Sequence, residues 1–152
     1  MPYFVCLSGS CLGTRALLEL LFAPGDPRQP TFVDFSKMKK LRDVAFRCGT
    51  LHVRWIVVAL ETITSNHRDF QEISIYIPRP LAVTGDPARV RQTVGEEIYG
   101  EWVELDHLLV RFLESRAVRM RIAYDAAVGG CKCMGGLLPE MMARGIIELG
   151  TP

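Results

Sequence analysis

The sequence predicts an α/β fold: a mostly parallel, one-sided sheet, with helices that alternate with the strands and cover one face. Three observations lead there. Apolar residues spaced by two alternate along the chain with apolar residues spaced by three and four. The strand-like stretches have polar second faces, reading Asp43, Ala45, Arg47; Glu72, Ser74, Tyr76; and Arg119, Arg121, Ala123. A parallel sheet covered on both sides would instead show near-continuous hydrophobic runs. One spacing of apolar residues also recurs. A compact three-layer α/β arrangement is the alternative.

Met1 to Leu7 opens with a short apolar run, and Gly13-Thr14 leads into Arg15 to Phe22 at helical spacing. Residues 23–30, with three prolines, form a turn-rich loop, because proline fixes φ and removes a donor. Leu41 to Cys48 alternates apolar and polar and predicts a strand; His52 to Thr64 predicts a buried helix. Phe70 to Ile77 is the clearest strand, with Ile73, Ile75 and Ile77 on one face. After a loop holding Pro78, Pro80, Gly85 and Pro87, Ala88 to Ser115 predicts one long helix. Its stripe is Val94, Ile98, Trp102, Leu105, Leu109 and Phe112, and its polar face carries Glu96, Glu97, Glu101, Glu104, His107, Arg111 and Glu114. Asp86-Pro87 supplies a cap and an early proline. Ala117 to Tyr124 predicts a strand, Leu137 to Arg144 a short helix stopped by Gly145, and Ile146 to Leu149 a last strand.

Leu41-x-x-Val44-x-Phe46, Phe70-x-x-Ile73-x-Ile75 and Ala117-x-x-Met120-x-Ile122 share the L-x-x-L-x-L spacing of leucine-rich repeats. The expected fold is therefore leucine-rich-repeat-like, one domain over 1–152 with weak units near 31–69, 70–116 and 117–150. The segments Leu41-Arg-Asp-Val-Ala-Phe-Arg47, Ala59-Leu-Glu-Thr-Ile-Thr64, His67-Arg-Asp-Phe-Gln-Glu-Ile-Ser-Ile-Tyr-Ile77, Trp102-Val-Glu-Leu-Asp106 and Leu137-Leu-Pro-Glu140 carry a further likeness. They resemble the uncharacterised fungal proteins with degenerate leucine-rich repeats, many of them F-box-like. The resemblance implies a repeat surface that holds a protein substrate. No F-box pattern is read in the first forty residues.

Eighteen Lys and Arg against seventeen Asp and Glu leave a net charge of +1, which argues against a nucleic-acid-coating protein. No apolar run reaches the roughly 18 residues of a membrane helix. Five cysteines, an odd number, follow no secretory-type segment, so reduced thiols in an intracellular setting, cytoplasmic or nuclear, are expected. Cys131-Lys-Cys133 is one tight pair without a second, and His52, His67 and His107 are scattered, so neither a metal site nor a cofactor is expected.

The main functional expectation is a non-enzymatic protein-recognition module using the exposed sheet face. Its candidate contacts are Arg47, Glu72, Ser74, Tyr76, Arg119 and Arg121, with an unknown protein partner and self-association open to the ends of a short solenoid. The alternative is a small thiol-dependent, phosphatase-like enzyme. Cys48-Gly-Thr-Leu-His-Val-Arg54 fits Cys-x5-Arg, in which loop amides and a helix N-terminus hold the anion, the arginine clamps it and a thiolate attacks. Two other patterns read as structure. Gly9-Ser-Cys11-Leu-Gly13 fits a nucleophile elbow but has only eight residues before it, too few for the strands that chemistry needs. Glu104-Leu-Asp-His107 has di-iron ligand spacing without the second motif, on a solvated helix face.

Overall fold

A computed structural model describes residues 4–6, 9–10, 13–20, 34–48, 51–77, 87–124 and 136–145. The strands are β1 (Phe4–Cys6), β2 (Gly9–Ser10), β3 (Gly13–Leu20), β4 (Leu41–Cys48), β5 (Glu72–Ile77) and β6 (Arg119–Tyr124). The helices are α1 (Arg54–Glu61), α2 (Pro87–Val94), α3 (Glu96–Ser115) and α4 (Pro139–Ala143). The chain is thus of the α/β class.

All six strands join one sheet of order β1-β3-β4-β5-β6, with β2 also on β3. From β3 to β6 the strands are parallel and adjacent in chain order; β1 and β2 pair antiparallel to β3. The register is regular. Val44 pairs with Ile73 and Ile73 with Met120; Phe46 pairs with Ile75 and Ile75 with Ile122. These are the residues that occupy matching places in the recurring apolar spacing.

The strands at 41–48, 72–77 and 119–124 and the helices α1 and α4 lie where the sequence predicts them. Two expectations are corrected. The segment expected to be a helix over Arg15 to Phe22 lies, as far as Leu20, in the strand β3, which pairs with β4 from Thr14 to Leu20. Ala16, Leu17, Leu18, Glu19 and Leu20 are good helix formers, and pairing with the neighbouring strand overrides that weak preference. The long helix from Ala88 is two helices, broken at Gly95, whose φ of 89° and ψ of 157° suit glycine alone. The expected final strand, Ile146 to Leu149, lies outside the described residues, as does Asp86.

Period-two geometry sends Val44, Phe46, Ile73, Ile75, Met120 and Ile122 into a single core. There they meet Ile56 and Leu60 of α1, Trp102, Leu105 and Leu109 of α3, and Leu137, Leu138 and Met141 at α4. Helix α1 packs on α3, and α3 on α4. Trp102 is fully buried, and its indole N–H donates to Leu51 O at 2.9 Å. Phe46 meets Trp55 edge-on at 5.5 Å between ring centroids, a favoured aromatic geometry. Between α1 and β5, His67 staples the turn. Its Nδ1 accepts from Thr64 N at 3.0 Å, which fixes Nε2 as the donor to Phe35 O at 2.9 Å. Arg116 adds bonds to the carbonyls of Thr64 and His67.

Candidate functional site

The opposite face of β4, β5 and β6 carries the expected contact residues in three rows. Asp43, Glu72 and Arg119 are register partners in the first; Ala45, Ser74 and Arg121 in the second; Arg47 and Tyr76 in the third. All six expected residues therefore share one face. The rows add Asp43 and Ala45, which the sequence placed there without naming them as contacts. Arg47, Arg119 and Arg121 are exposed, Asp43, Glu72, Ser74 and Tyr76 half-buried, and Ala45 buried. The middle row has two small residues, Ala45 and Ser74, beside the exposed Arg121.

Local contacts orient these groups. The Ser74 hydroxyl donates to Glu72 Oε1 at 3.1 Å, and Arg119 Nη1 lies 3.8 Å from Glu72 Oε2. An exposed pair of that kind contributes about 0–1 kcal/mol, so it arranges the surface more than it stabilises the fold. The Arg47 guanidinium sits 5.3 Å from the centroid of the Tyr76 ring, across the β4–β5 boundary. Arg42 is exposed instead of continuing the core alternation. The register shifts there, with Thr14 opposite Leu41 and Arg15 opposite Asp43, which turns Leu41 inward and lets Arg42 reach Gln71 Oε1 at 3.2 Å.

The Cys48-x5-Arg54 segment joins β4 to α1. The side chain of Cys48, and Gly49 and Thr50, lie outside what is described. The rest of the joint is held from α3. Glu101, buried at 3% exposure, accepts from Val53 N at 2.8 Å and Arg54 N at 3.1 Å through Oε2, and its Oε1 lies 3.2 Å from His52 Nδ1. The indole N–H of Trp55 donates to His52 O at 3.1 Å. A carboxylate at a helix N-terminus satisfies amides that the helix leaves unpaired and complements its dipole. Arg54 turns outward toward Glu104, 3.7 Å away. Two of the amides that a phosphate loop would offer to substrate, those of Val53 and Arg54, are thus taken by the protein's own carboxylate. Glu101 was expected on the solvated face of its helix. Periodicity locates a residue on a helix, and the packing of α1 on that flank buries this one.

The ends of Glu104-Leu-Asp-His107 lie on the solvated helix face, as expected, and Asp106 between them does not. Glu104 and His107 are exposed, but Asp106 is 2% exposed and caps α4, accepting from Glu140 N at 2.9 Å and Met141 N at 3.1 Å. Burial pushes its carboxyl above the ordinary value of 3.8, outweighing the two amide bonds. His107 Nε2 reaches Glu140 Oε1 at 3.1 Å. Sequence reasoning missed both buried carboxylates as structural acceptors, since their donors lie 34 to 48 residues away along the chain. Among the described residues no three His, Cys, Asp or Glu side chains gather to hold a metal; Cys11 and the Cys131, Cys133 pair lie outside them. No described helix is long and apolar enough to cross a membrane.

No protein-family model, curated protein or solved structure matches the chain.

Proposed function

We propose that the chain is a non-enzymatic protein-recognition module of the leucine-rich-repeat type, binding its partner through the polar face of β4, β5 and β6. The single observation behind this reading is the three-row face, in which six chemically varied side chains share one register on a rigid parallel sheet. Two features support the repeat character. Strands follow one another across the sheet in chain order, and the recurring apolar spacing coincides with their register. Tyr76, half-buried beneath Arg47, supplies the aromatic anchor that interface hot spots favour. By its resemblance to the degenerate repeat proteins of F-box type, the module holds a substrate protein inside the cell.

The test is site-specific photo-cross-linking. Benzoylphenylalanine at Ser74 should capture a discrete partner that the same probe at Glu104, on exposed α3 surface, does not. Charge reversal at Arg47, Arg119 and Arg121 together should abolish the capture. Partners that stay bound after all three reversals would place recognition elsewhere. The thiol-phosphatase alternative has the Glu101 contacts against it and would require turnover of an aryl phosphate that disappears in Cys48→Ser.

A further inference from the structure

Two turns at the N-terminal ends of neighbouring strands repeat one construction. Before β4, Met38 N donates to Phe35 O at 2.8 Å and Leu41 N to Met38 O at 2.9 Å. Before β5, His67 N donates to Thr64 O at 3.0 Å and Phe70 N to His67 O at 3.3 Å. Each group of the second turn follows its counterpart by 29 residues, the interval that also separates Arg42 from Gln71. The turns are stapled side by side. His67 Nε2 donates to Phe35 O at 2.9 Å, Gln71 N to Arg42 O at 2.7 Å, and the Arg42 guanidinium to Gln71 Oε1 at 3.2 Å. Phe35, Leu41, His67 and Phe70 are buried, Met38 is half-buried, and the other residues of both turns are exposed.

What the repeat exposes is basic. Residues 34–42 and 64–71 carry Lys37, Lys39, Lys40, Arg42 and Arg68, all exposed, against the carboxylates of Asp34 and Asp69. Asp34, which accepts from Ser36 N at 2.8 Å, feels the charge of Lys37, and Asp69 occupies the place that corresponds to Lys40. Those two pairs offset each other, which leaves Lys39, Arg68 and Arg42 unopposed. Lys39 corresponds to Arg68, so two cations are held on adjoining turns. Neither has an ion pair or a side-chain hydrogen bond among the described residues. The surrounding charges cancel. Arg116, bonded to the carbonyls of Thr64 and His67, stands against Glu61 at the end of α1, and the first row of the polar face sets Arg15 and Arg119 against Asp43 and Glu72.

We infer that this basic ledge binds an acidic segment of another protein, with carboxylates over the Lys39–Arg68 pair and Arg42. It lies at the strand ends and needs no contact from Ser74, Tyr76 or Arg121, so it stands apart from the recognition reading above. Like charges held side by side are unfavourable in the free protein, and an anion between Lys39 and Arg68 relieves them. Arg42 spends one N–H on Gln71 and keeps others for an acceptor. Anionic lipid is a lesser fit, because firm attachment at a bilayer surface adds an apolar insertion to the charge, and the apolar residues of these turns are buried or half-buried. Nucleic acid is a lesser fit as well. Non-specific duplex binding draws on about 6–10 phosphate contacts, and neither turn exposes an aromatic ring on which a base could stack.

The probe is a fluorescein-labelled decapeptide of alternating glutamate and threonine, read by fluorescence anisotropy. A lysine–threonine decapeptide, a ten-nucleotide single-stranded DNA and phosphatidylcholine vesicles containing phosphatidylserine serve as comparisons. The glutamate peptide should bind at least about tenfold more tightly than the lysine peptide, and its affinity should fall at least about fivefold from 50 to 300 mM NaCl, which needs no variant. Lys39→Gln with Arg68→Gln should weaken it at least about fivefold with Tm unchanged, since neither side chain holds a contact. Arg111→Gln, on the exposed flank of α3, and Arg121→Gln, on the polar face, should each stay within about twofold. Equal binding by the double variant and the wild type would overturn the proposal, as would a loss in Arg121→Gln as large as that in the double variant. Tighter binding to the DNA or to the vesicles than to the glutamate peptide would overturn the choice of a protein segment.

Discussion

Replacing Glu101 with alanine strips the joint between β4 and α1 of its acceptor. Two backbone amides, Val53 N at 2.8 Å and Arg54 N at 3.1 Å, lose a charged partner inside the protein, and His52 loses its contact at 3.2 Å. A hydrogen bond to a charged group contributes about 1.5–3 kcal/mol, and an orphaned buried donor costs about 1–3 kcal/mol. The amides share one oxygen and water reaches the cavity, so the sum is smaller than the parts. The expected loss is about 3 kcal/mol, which lowers Tm by roughly 6–12 °C at this chain length. Glu101→Gln keeps one carbonyl oxygen and should lose about half as much. Paired thermal and urea unfolding, followed by circular dichroism, measures both. Acetate returns a carboxylate to the vacated space and should raise the Tm of Glu101→Ala more than that of the wild type. A loss below about 0.5 kcal/mol, the scale of an ordinary surface substitution, would refute the account of Glu101 as the clamp of this joint.

Three further outcomes are expected. Added Cβ atoms at Gly95 and Gly100 would both meet open space, so backbone conformation alone sets the sign. Gly95→Ala should cost about 1–3 kcal/mol because of its positive φ, whereas Gly100→Ala, inside α3, should gain up to about 1 kcal/mol; urea titration of both reads the contrast. Asp106 has a folded pKa raised above its ordinary 3.8. The folded state then holds the extra proton between the two values, and stability falls as pH rises through that window. Asp106→Asn should gain on the wild type from pH 4 upward and then level off; a gap that is constant with pH would contradict it. His67→Ala should cost about 3 kcal/mol, from a cavity and two orphaned backbone groups, and hydrogen exchange should show the loss of protection centred on Thr64 and Phe70.

Strands β4, β5 and β6 were legible because alternation is local: a side chain's face depends on its own position along the strand. The stripe of α3 was legible for the same reason, with Trp102, Leu105 and Leu109 fully buried where the spacing put them. Membership of the polar face could be read in the same way. Its rows could not, because the register that sets Glu72 beside Arg119 comes from packing three strands together. Helical composition hid β3, whose conformation is imposed by β4. The break at Gly95 was hidden by an apolar stripe running through it, since Val94 and Ile98 keep the spacing on either side. Glu101 and Asp106 show the same limit for charge. Each carboxylate looks solvated on a helical wheel, and only the arrival of a distant helix terminus gives it donors.

The order of strands from β3 to β6 bears on how such a chain can change over evolutionary time. In a sheet whose order reverses, each strand has its place fixed by neighbours far away in sequence, and an added unit must be threaded between them. Here each parallel strand lies beside its predecessor, so a strand and its helix can be duplicated or deleted with the chain still taking the same path. Because β1 runs against β3, the direction reverses at that end. Growth by duplication would lengthen every row of the recognition surface by one side chain per added strand, toward and beyond β6, and binding range could widen without rebuilding the core.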